Sequence, residues 1–423
     1  MTRVDVGRPP ACPIPLSLLL FLVTAVQGLA TFAVVALPTL ATRAADTYGL
    51  GPQSAGYQIT VIYIAAALVS STAGLVVRRL GAGLTSLVAL MLSAAGLLGI
   101  ASGSLPVAIV ASLLIGCCYG LTNPAASHLL LRFAPVHRQN LIFSLKQTGV
   151  PLGAILAASL LPLIAERSGW QRACVLGAGL TLLVAAPLAL VRHRLDDDRA
   201  PGARAGTGLL QGVRVVTQSP VLRSLAVMGL AYASFQFCLF TFLVTMLVTD
   251  FGWSLVEAGG MASLVQVGGV AGRIVWSLLA DRIGRGRVIL AAIGGLSAVL
   301  AVVVAGAGVQ WPVSLLAGLL FAFGFCLVGW NGLWMAEIAR TSGQGEVGLA
   351  TGGVLVFTYI GVMAGPALFA AVYGLLGSYA LTFGAFAIVP LVGAAAILAA
   401  LPYEAPANRR NLAGGAGQAA EEP

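Results

Sequence analysis

Few side chains in this sequence can bind a charged solute inside an apolar medium, and the most exposed to that task is Arg273. It lies in EAGGMASLVQVGGVAGRIVWSLLADRIGRGR, where the twenty-three residues between Glu257 and Asp281 carry one ionised group, Arg273 itself. That length suits a helix crossing a bilayer core of about 30 Å. Arg273 precedes Asp281 by eight residues, about 12 Å of helix, which puts it near mid-membrane. A charge there costs about 3 kcal/mol and is rare unless it faces a partner or a watery cavity. A guanidinium fork in such a place can hold a carboxylate through two hydrogen bonds. The competing role is structural: an arginine that snorkels to the surface or satisfies backbone carbonyls.

Other candidates lie in neighbouring apolar runs. Lys146, the only lysine of the chain, stands in LIFSLKQTGVPLG, about 9 Å of helix beyond Asn140. It can supply a second positive group or anchor a span end, and Gln147 beside it can hydrogen-bond a ligand or a neighbouring helix. Trp330, Asn331, Trp334 and Glu337 share one segment, with Trp330 and Trp334 on one face at i,i+4. They can form an aromatic wall for an organic acid, with Tyr359 on the next run, or an interfacial belt. His128, one turn before Arg132 and just after Asn123-Pro124, can carry a proton, as can Glu337. Gln27, Gln236 and Gln266 are single polar residues, more in keeping with hydrogen bonds between helices.

The elements that must position these groups are membrane helices. The chain is 59% hydrophobic and only 9% charged, with a mean hydropathy of +0.97, against about 25% charged residues in soluble domains. A water-soluble globule is excluded. Twelve apolar runs of at least 18 residues occur, near 14–40, 56–77, 84–103, 106–131, 141–164, 172–191, 222–249, 256–279, 288–308, 312–336, 347–376 and 378–401. The first is too long for a signal-peptide core and is expected as a retained span.

Basic residues set the orientation. The termini and even-numbered connections hold nineteen of the 23 Lys and Arg residues, including Arg3, Arg8, Arg78, Arg79, Arg132, Arg138, Lys146, Arg204, Arg340, Arg409 and Arg410; the odd-numbered connections hold Arg43, Arg167 and Arg172. Both termini are therefore expected in the cytoplasm. The net charge of +9 is spread among apolar blocks, which argues for orientation in a membrane and against nucleic-acid binding. The six cysteines form no CxxC pair and read as small buried residues. The expected division is an N-terminal six-helix bundle over 1–191, a cytoplasmic linker over 192–221 opened by Asp196-Asp197-Asp198, a C-terminal bundle over 222–401 and a cytoplasmic tail over 402–423. The halves echo each other: Arg78-Arg79-Leu80-Gly81 corresponds to Asp281-Arg282-Ile283-Gly284, and Gly149-x-x-x-Gly153 to Gly361-x-x-x-Gly365.

The cluster Leu279-Ala280-Asp281-Arg282-Ile283-Gly284-Arg285 resembles the loop signature of the major facilitator superfamily, and the resemblance extends over nearly the whole chain. It implies an all-α membrane protein of twelve helices in two six-helix bundles around a central cavity, with alternating access. It also implies a conformational latch at Asp281, Arg282, Gly284 and Arg285, and spans 5 and 8 that face each other, so that Lys146 joins Arg273. The first half departs from the pattern, with Arg78 where the family has Asp and Gly116 where many proton-coupled members have Arg. Arg273 at its spacing from Asp281 is similar to the anion-holding arginine of nitrate/nitrite porters, monocarboxylate transporters and oxalate/formate exchangers. Ser70 stands where nitrate porters carry a second arginine.

The expected function is secondary transport of a small anion, foremost a monocarboxylate, across the plasma membrane, by a monomer without cofactor, metal or nucleic-acid partner. Coupling to protons would use His128, Glu337 or the acid group of the substrate. A multidrug efflux antiporter is the first rival and usually needs a buried acid; a membrane sensor on the same fold is the second. Neither a P-loop pattern, a metal-ligand cluster nor a nucleophile with a base partner is present in the sequence, which counts against an enzyme.

Overall fold

The structure, a computed structural model, describes residues 12–135, 139–202, 208–342 and 347–403. Arg3, Arg8, Arg138, Arg204, Arg409, Arg410 and the tail from 404 onward lie outside the described residues. A chain this apolar has one economical way to satisfy its backbone in lipid, the α-helix. Among the described residues twelve helical spans are long and apolar enough to cross a membrane: Leu16–Thr39, Pro52–Leu80, Ala82–Ala101, Leu105–Phe133, Leu145–Ser168, Trp170–Leu195, Pro220–Thr249, Leu255–Ile283, Gly286–Gly306, Val313–Thr341, Leu349–Leu376 and Tyr379–Ala399. They are numbered 1 to 12 below.

Two compact units are formed, one by the described residues of 1–48 and 64–205, the other by those of 49–63 and 206–423. In unit 1 the apolar core gathers Leu19 and Leu22 of span 1, Leu90 of span 3, Leu129 and Leu130 of span 4 and Leu188 of span 6. In unit 2 aromatic rings fill the centre: Phe369 stacks on Phe242 at 4.6 Å and tilts against Phe383 at 4.8 Å. The early part of span 2 belongs to unit 2, where the Thr60 hydroxyl donates to the Met363 carbonyl at 2.6 Å. The stretch expected as a linker contains a helix, Gly208–Gln218. It packs so closely on span 11 that a Cβ on Gly212 would come within 2.6 Å of the Leu349 carbonyl oxygen.

The echo between halves has a backbone cause. Span 2 ends at Gly81 with φ +93° and span 8 at Gly284 with φ +68°. Both are left-handed positions where a side chain is strained, so each helix stops at the glycine of its repeat.

Two spans are interrupted in ways that hydropathy does not mark. Span 5 is preceded by a helix over Gln139–Gln147 that breaks at Thr148 before Gly149–Ser168. Span 10 is helical over Val313–Leu327 and again over Asn331–Thr341, with Val328 to Trp330 between.

Candidate functional site

In unit 1 the break in span 5 falls beside a backbone-to-backbone contact. A Cβ on Gly153 would lie 2.7 Å from the Gly28 carbonyl carbon, and one on Gly149 would lie 2.5 Å from the Thr24 carbonyl oxygen. Spans 1 and 5 can meet this closely because these positions have no side chains. The approach brings Gln27 against Lys146. Lys146 is 3% exposed, and its ammonium donates to Gln27 Oε1 at 2.8 Å, to Asn123 Oδ1 beside Pro124 in span 4, and to Gln147 Oε1 at 3.3 Å. All three acceptors are neutral amides. Among the described residues no acidic side chain forms an ion pair with Lys146. Gln27 is fully buried, and among the described residues its Nε2 has no hydrogen-bond partner.

In unit 2 the corresponding feature is the break in span 10. A Cβ on Gly272 would lie 2.9 Å from the Phe325 carbonyl carbon and 3.2 Å from Gly329 Cα. Arg273, the next residue, therefore stands beside the opened turn, where its Nε donates to the Val328 carbonyl at 3.4 Å. Asn331 Nδ2 reaches the same carbonyl at 3.4 Å and Gln236 Oε1 at 3.2 Å, while Trp330 Nε1 donates to Gln236 Oε1 at 2.9 Å. Trp334 donates its indole N–H to the Leu225 carbonyl at 2.9 Å. The two indoles meet edge to face at 5.1 Å, and both are buried. Both indole N–H groups are thus occupied within unit 2. Tyr359 is half-buried, 6.1 Å from the Tyr63 ring.

The span ends carry two charge knots. In unit 2 Arg340 bridges Asp281 at 3.2 Å and Glu337 at 2.9 Å. Arg282, Gly284 and Arg285 are exposed around the turn, while Arg287 donates to the Ala400 and Tyr403 carbonyls at 3.1 Å. In unit 1, where Arg78 replaces the loop acid, carboxylates come instead from the segment after span 6. Arg132 holds Asp197 through two bonds of 2.7 and 2.8 Å and contacts Asp198 at 3.1 Å, and His128 bonds Asp198 at 2.7 Å. Asp196 turns inward and accepts from the Gly83 and Leu84 N–H groups, at 2.6 and 2.9 Å, at the start of span 3. Burial pushes the Asp196 carboxyl up, opposed by those N–H groups and by Arg199 and Arg192 nearby. The Arg132 hydrogen bond holds Asp197 below the usual carboxylate range.

Sequence reasoning missed this knot: three acids follow span 6, but nothing in the sequence pairs them with Arg132 of span 4. Of the expected proton carriers, His128 is thus hydrogen-bonded to Asp198 and Glu337 is paired with Arg340, both near span ends.

The model of the family described as Major Facilitator Superfamily matches residues 17–352 and 239–422. Uncharacterised MFS-type transporters of two strains of Mycobacterium tuberculosis are each 26% identical over 261 residues, 60% of this chain. The match takes in 56% of each relative, so the chain spans little more than half the length of the curated relatives it matches. Among solved structures, a nucleoside transporter superposes with a TM-score of 0.73 at 15% identity, covering 90% of this chain and 100% of that one. A D-xylose-proton symporter gives 0.68 at 17%, covering 90% and 96%. These two likenesses concern the fold. Twelve spans, the glycine-ended repeat and a family match along most of the chain lead to one conclusion: this multi-pass membrane protein belongs to the Major Facilitator Superfamily of transporters.

Proposed function

We propose that the chain is a secondary carrier for a small organic anion, a monocarboxylate in the first instance, working by alternating access in the plasma membrane as a monomer with both termini cytoplasmic. The supporting observation is the sign of the embedded charge. The ionised groups set within the helical bundles away from their charged ends are cations, Arg273 and Lys146, and the hydrogen-bond acceptors of Lys146 are neutral. Among the described residues Lys146 is held by neutral amides alone, a costly setting for a cation in a low-dielectric interior, and an anion that arrives there is correspondingly favoured. In this reading Arg273 takes the anionic group in unit 2, where Asn331 shares its Val328 carbonyl, and Lys146 with Gln147 provides the cation of unit 1. Trp330, Trp334 and Tyr359 shape the apolar surroundings. Asp281, Arg282, Gly284 and Arg285 with Arg340, and the Asp197–Arg132 pair, act as latches. Protons, where they are coupled, travel on the substrate's acid group or on His128 or Glu337 once their pairs open.

The test is uptake of labelled small monocarboxylates, nitrate and neutral solutes into proteoliposomes. The wild type is expected to carry a carboxylate, and Arg273→Ala and Arg273→Lys are expected to lose at least tenfold in rate, because lysine has the charge without the fork. Undiminished transport by Arg273→Ala makes Arg273 structural and moves the reading to an efflux antiporter for other solutes.

A further inference from the structure

The polar group around Lys146 is incomplete in one definite respect. Its ammonium has three N–H donors, and three amide oxygens already face them: Gln27 Oε1 at 2.8 Å, Asn123 Oδ1, and Gln147 Oε1 at 3.3 Å. Because Gln27 gives its oxygen to Lys146, its Nε2 points away from that bond, and among the described residues this N–H group has no acceptor although the residue is 0% exposed. Leaving a buried donor unpaired is unfavourable, because it has lost its water and gained nothing in exchange. A fixed amide donor and a cation therefore stand side by side on spans 1 and 5, short of one acceptor and one negative charge. The Gly28, Gly149 and Gly153 contact holds their backbones in register. Gln147 has the longest of the three contacts and an exposed side chain, so it is the partner that can leave.

We propose that Lys146 and Gln27 form a two-point clamp in unit 1 for a planar, singly charged oxyanion, of which a carboxylate is the organic form. One oxygen accepts from Lys146 Nζ in the place vacated by Gln147, and the other accepts from Gln27 Nε2. The two acceptor oxygens of a carboxylate match a donor pair split between an ammonium and an amide. A divalent tetrahedral anion would bring two charges to one cation and be poorly compensated. Gln27 thereby becomes a specificity-determining residue and Asn123 a positioning one, which holds the ammonium from the side opposite the ligand. This inference rests on the anion-carrier reading and adds to it the residue that selects the anion's shape.

Lys146 being the only lysine, protein labelled with 15Nζ,13Cε-lysine gives one side-chain signal. Full-length protein in nanodiscs is titrated at constant ionic strength with acetate, lactate, nitrate, chloride and sulfate. Acetate or lactate is expected to shift the signal saturably, and chloride and sulfate are not. Nitrate acting as well as acetate assigns the site to planar oxyanions at large; nitrate weaker than lactate assigns it to organic acids. Both are within the proposal. Gln27→Leu is expected to weaken the acetate midpoint at least tenfold, and Gln27→Glu to abolish the shift, because its own carboxylate takes the ligand's place. Thermal unfolding of each variant checks that the fold is kept. Should Gln27→Leu fail to fold, Gln27→Glu and Asn123→Asp carry the test, the latter by supplying a competing charge from the other side of the ammonium. Two results overturn the clamp: no anion shifts the lysine signal, in which case the orphan N–H holds water only, or Gln27 variants bind acetate as the wild type does. If transport of a carboxylate is still lost in Arg273→Ala, the clamp alone has failed. If the wild type carries no anion at all, the reading beneath it has failed as well.

Discussion

Gly153→Ala puts the largest strain on the site through the smallest chemical change. The added Cβ would stand 2.7 Å from the Gly28 carbonyl carbon and 2.9 Å from Gly28 Cα, backbone atoms that cannot rotate aside, whereas ordinary contact begins at 3.4 Å. The Gly28 carbonyl oxygen stands nearer still, so spans 1 and 5 must part by more than about 0.7 Å at this level. The Gln27 to Lys146 bond, 2.8 Å long and next to the contact on span 1, is then stretched past about 3.5 Å, where little of a hydrogen bond is left. Overpacking of this kind costs about 1–3 kcal/mol. The variant is expected to unfold a few degrees below the wild type in a detergent thermal-shift assay, and its labelled Lys146 signal is expected to move. Gly179→Ala is the control, for nothing lies within 4 Å of a Cβ there, and alanine in a helix interior gains up to about 1 kcal/mol over glycine. An unchanged midpoint and an unchanged lysine signal in Gly153→Ala would refute the claim that backbone contact between spans 1 and 5 sets the geometry around Lys146.

Three further outcomes follow from the charge knots and the span 10 break. Asp196→Ala removes two carboxylate bonds to the start of span 3 and is expected to cost about 1–2 kcal/mol, read from thermal unfolding. Asp197 is held low by Arg132, so the stability it contributes is fully present above the ordinary carboxylate value of about 4 and is lost as pH falls through its lowered one. Asp197→Asn should thus lie below the wild type at neutral pH and converge with it at the acid end of a midpoint-against-pH series. Gln236→Leu strips the buried Trp330 indole of its acceptor; a loss of about 1–3 kcal/mol is expected, with a shift in tryptophan emission as its signature.

The twelve spans were legible because each is a long run that water rejects, and the ends at Gly81 and Gly284 because glycine marks a left-handed stop. The interruptions at Thr148 and at Val328 to Trp330 were not, since hydropathy measures transfer to lipid and is indifferent to where a helix bends inside a protein. Trp330 and Trp334 looked like a wall for a ligand. In the folded unit their N–H groups go to Gln236 and Leu225, because an indole in an apolar interior must find an acceptor. Gln236 does what a lone glutamine in a span is expected to do and ties two helices, while Gln27 does only half of it. The acids after span 6 read as linker by composition. Composition carries their charge but not the identity of Arg132, which stands 65 residues before Asp197 and becomes its neighbour only through folding.

That same separation gives the knot a meaning in time. Synthesis proceeds at about 5–20 residues per second, and Asp196 follows Gly83 by 113 positions. Span 3 thus waits on the order of 6–23 s for the carboxylate that closes its first turn, and Arg132 waits for the acids behind span 6. A nascent chain stalled before residue 196 has already made spans 1 to 6, yet leaves the start of span 3 uncapped and Arg132 uncompensated. The Asp196-Asp197-Asp198 segment is therefore the last-made source of the polar contacts that tie span 6 back to spans 3 and 4.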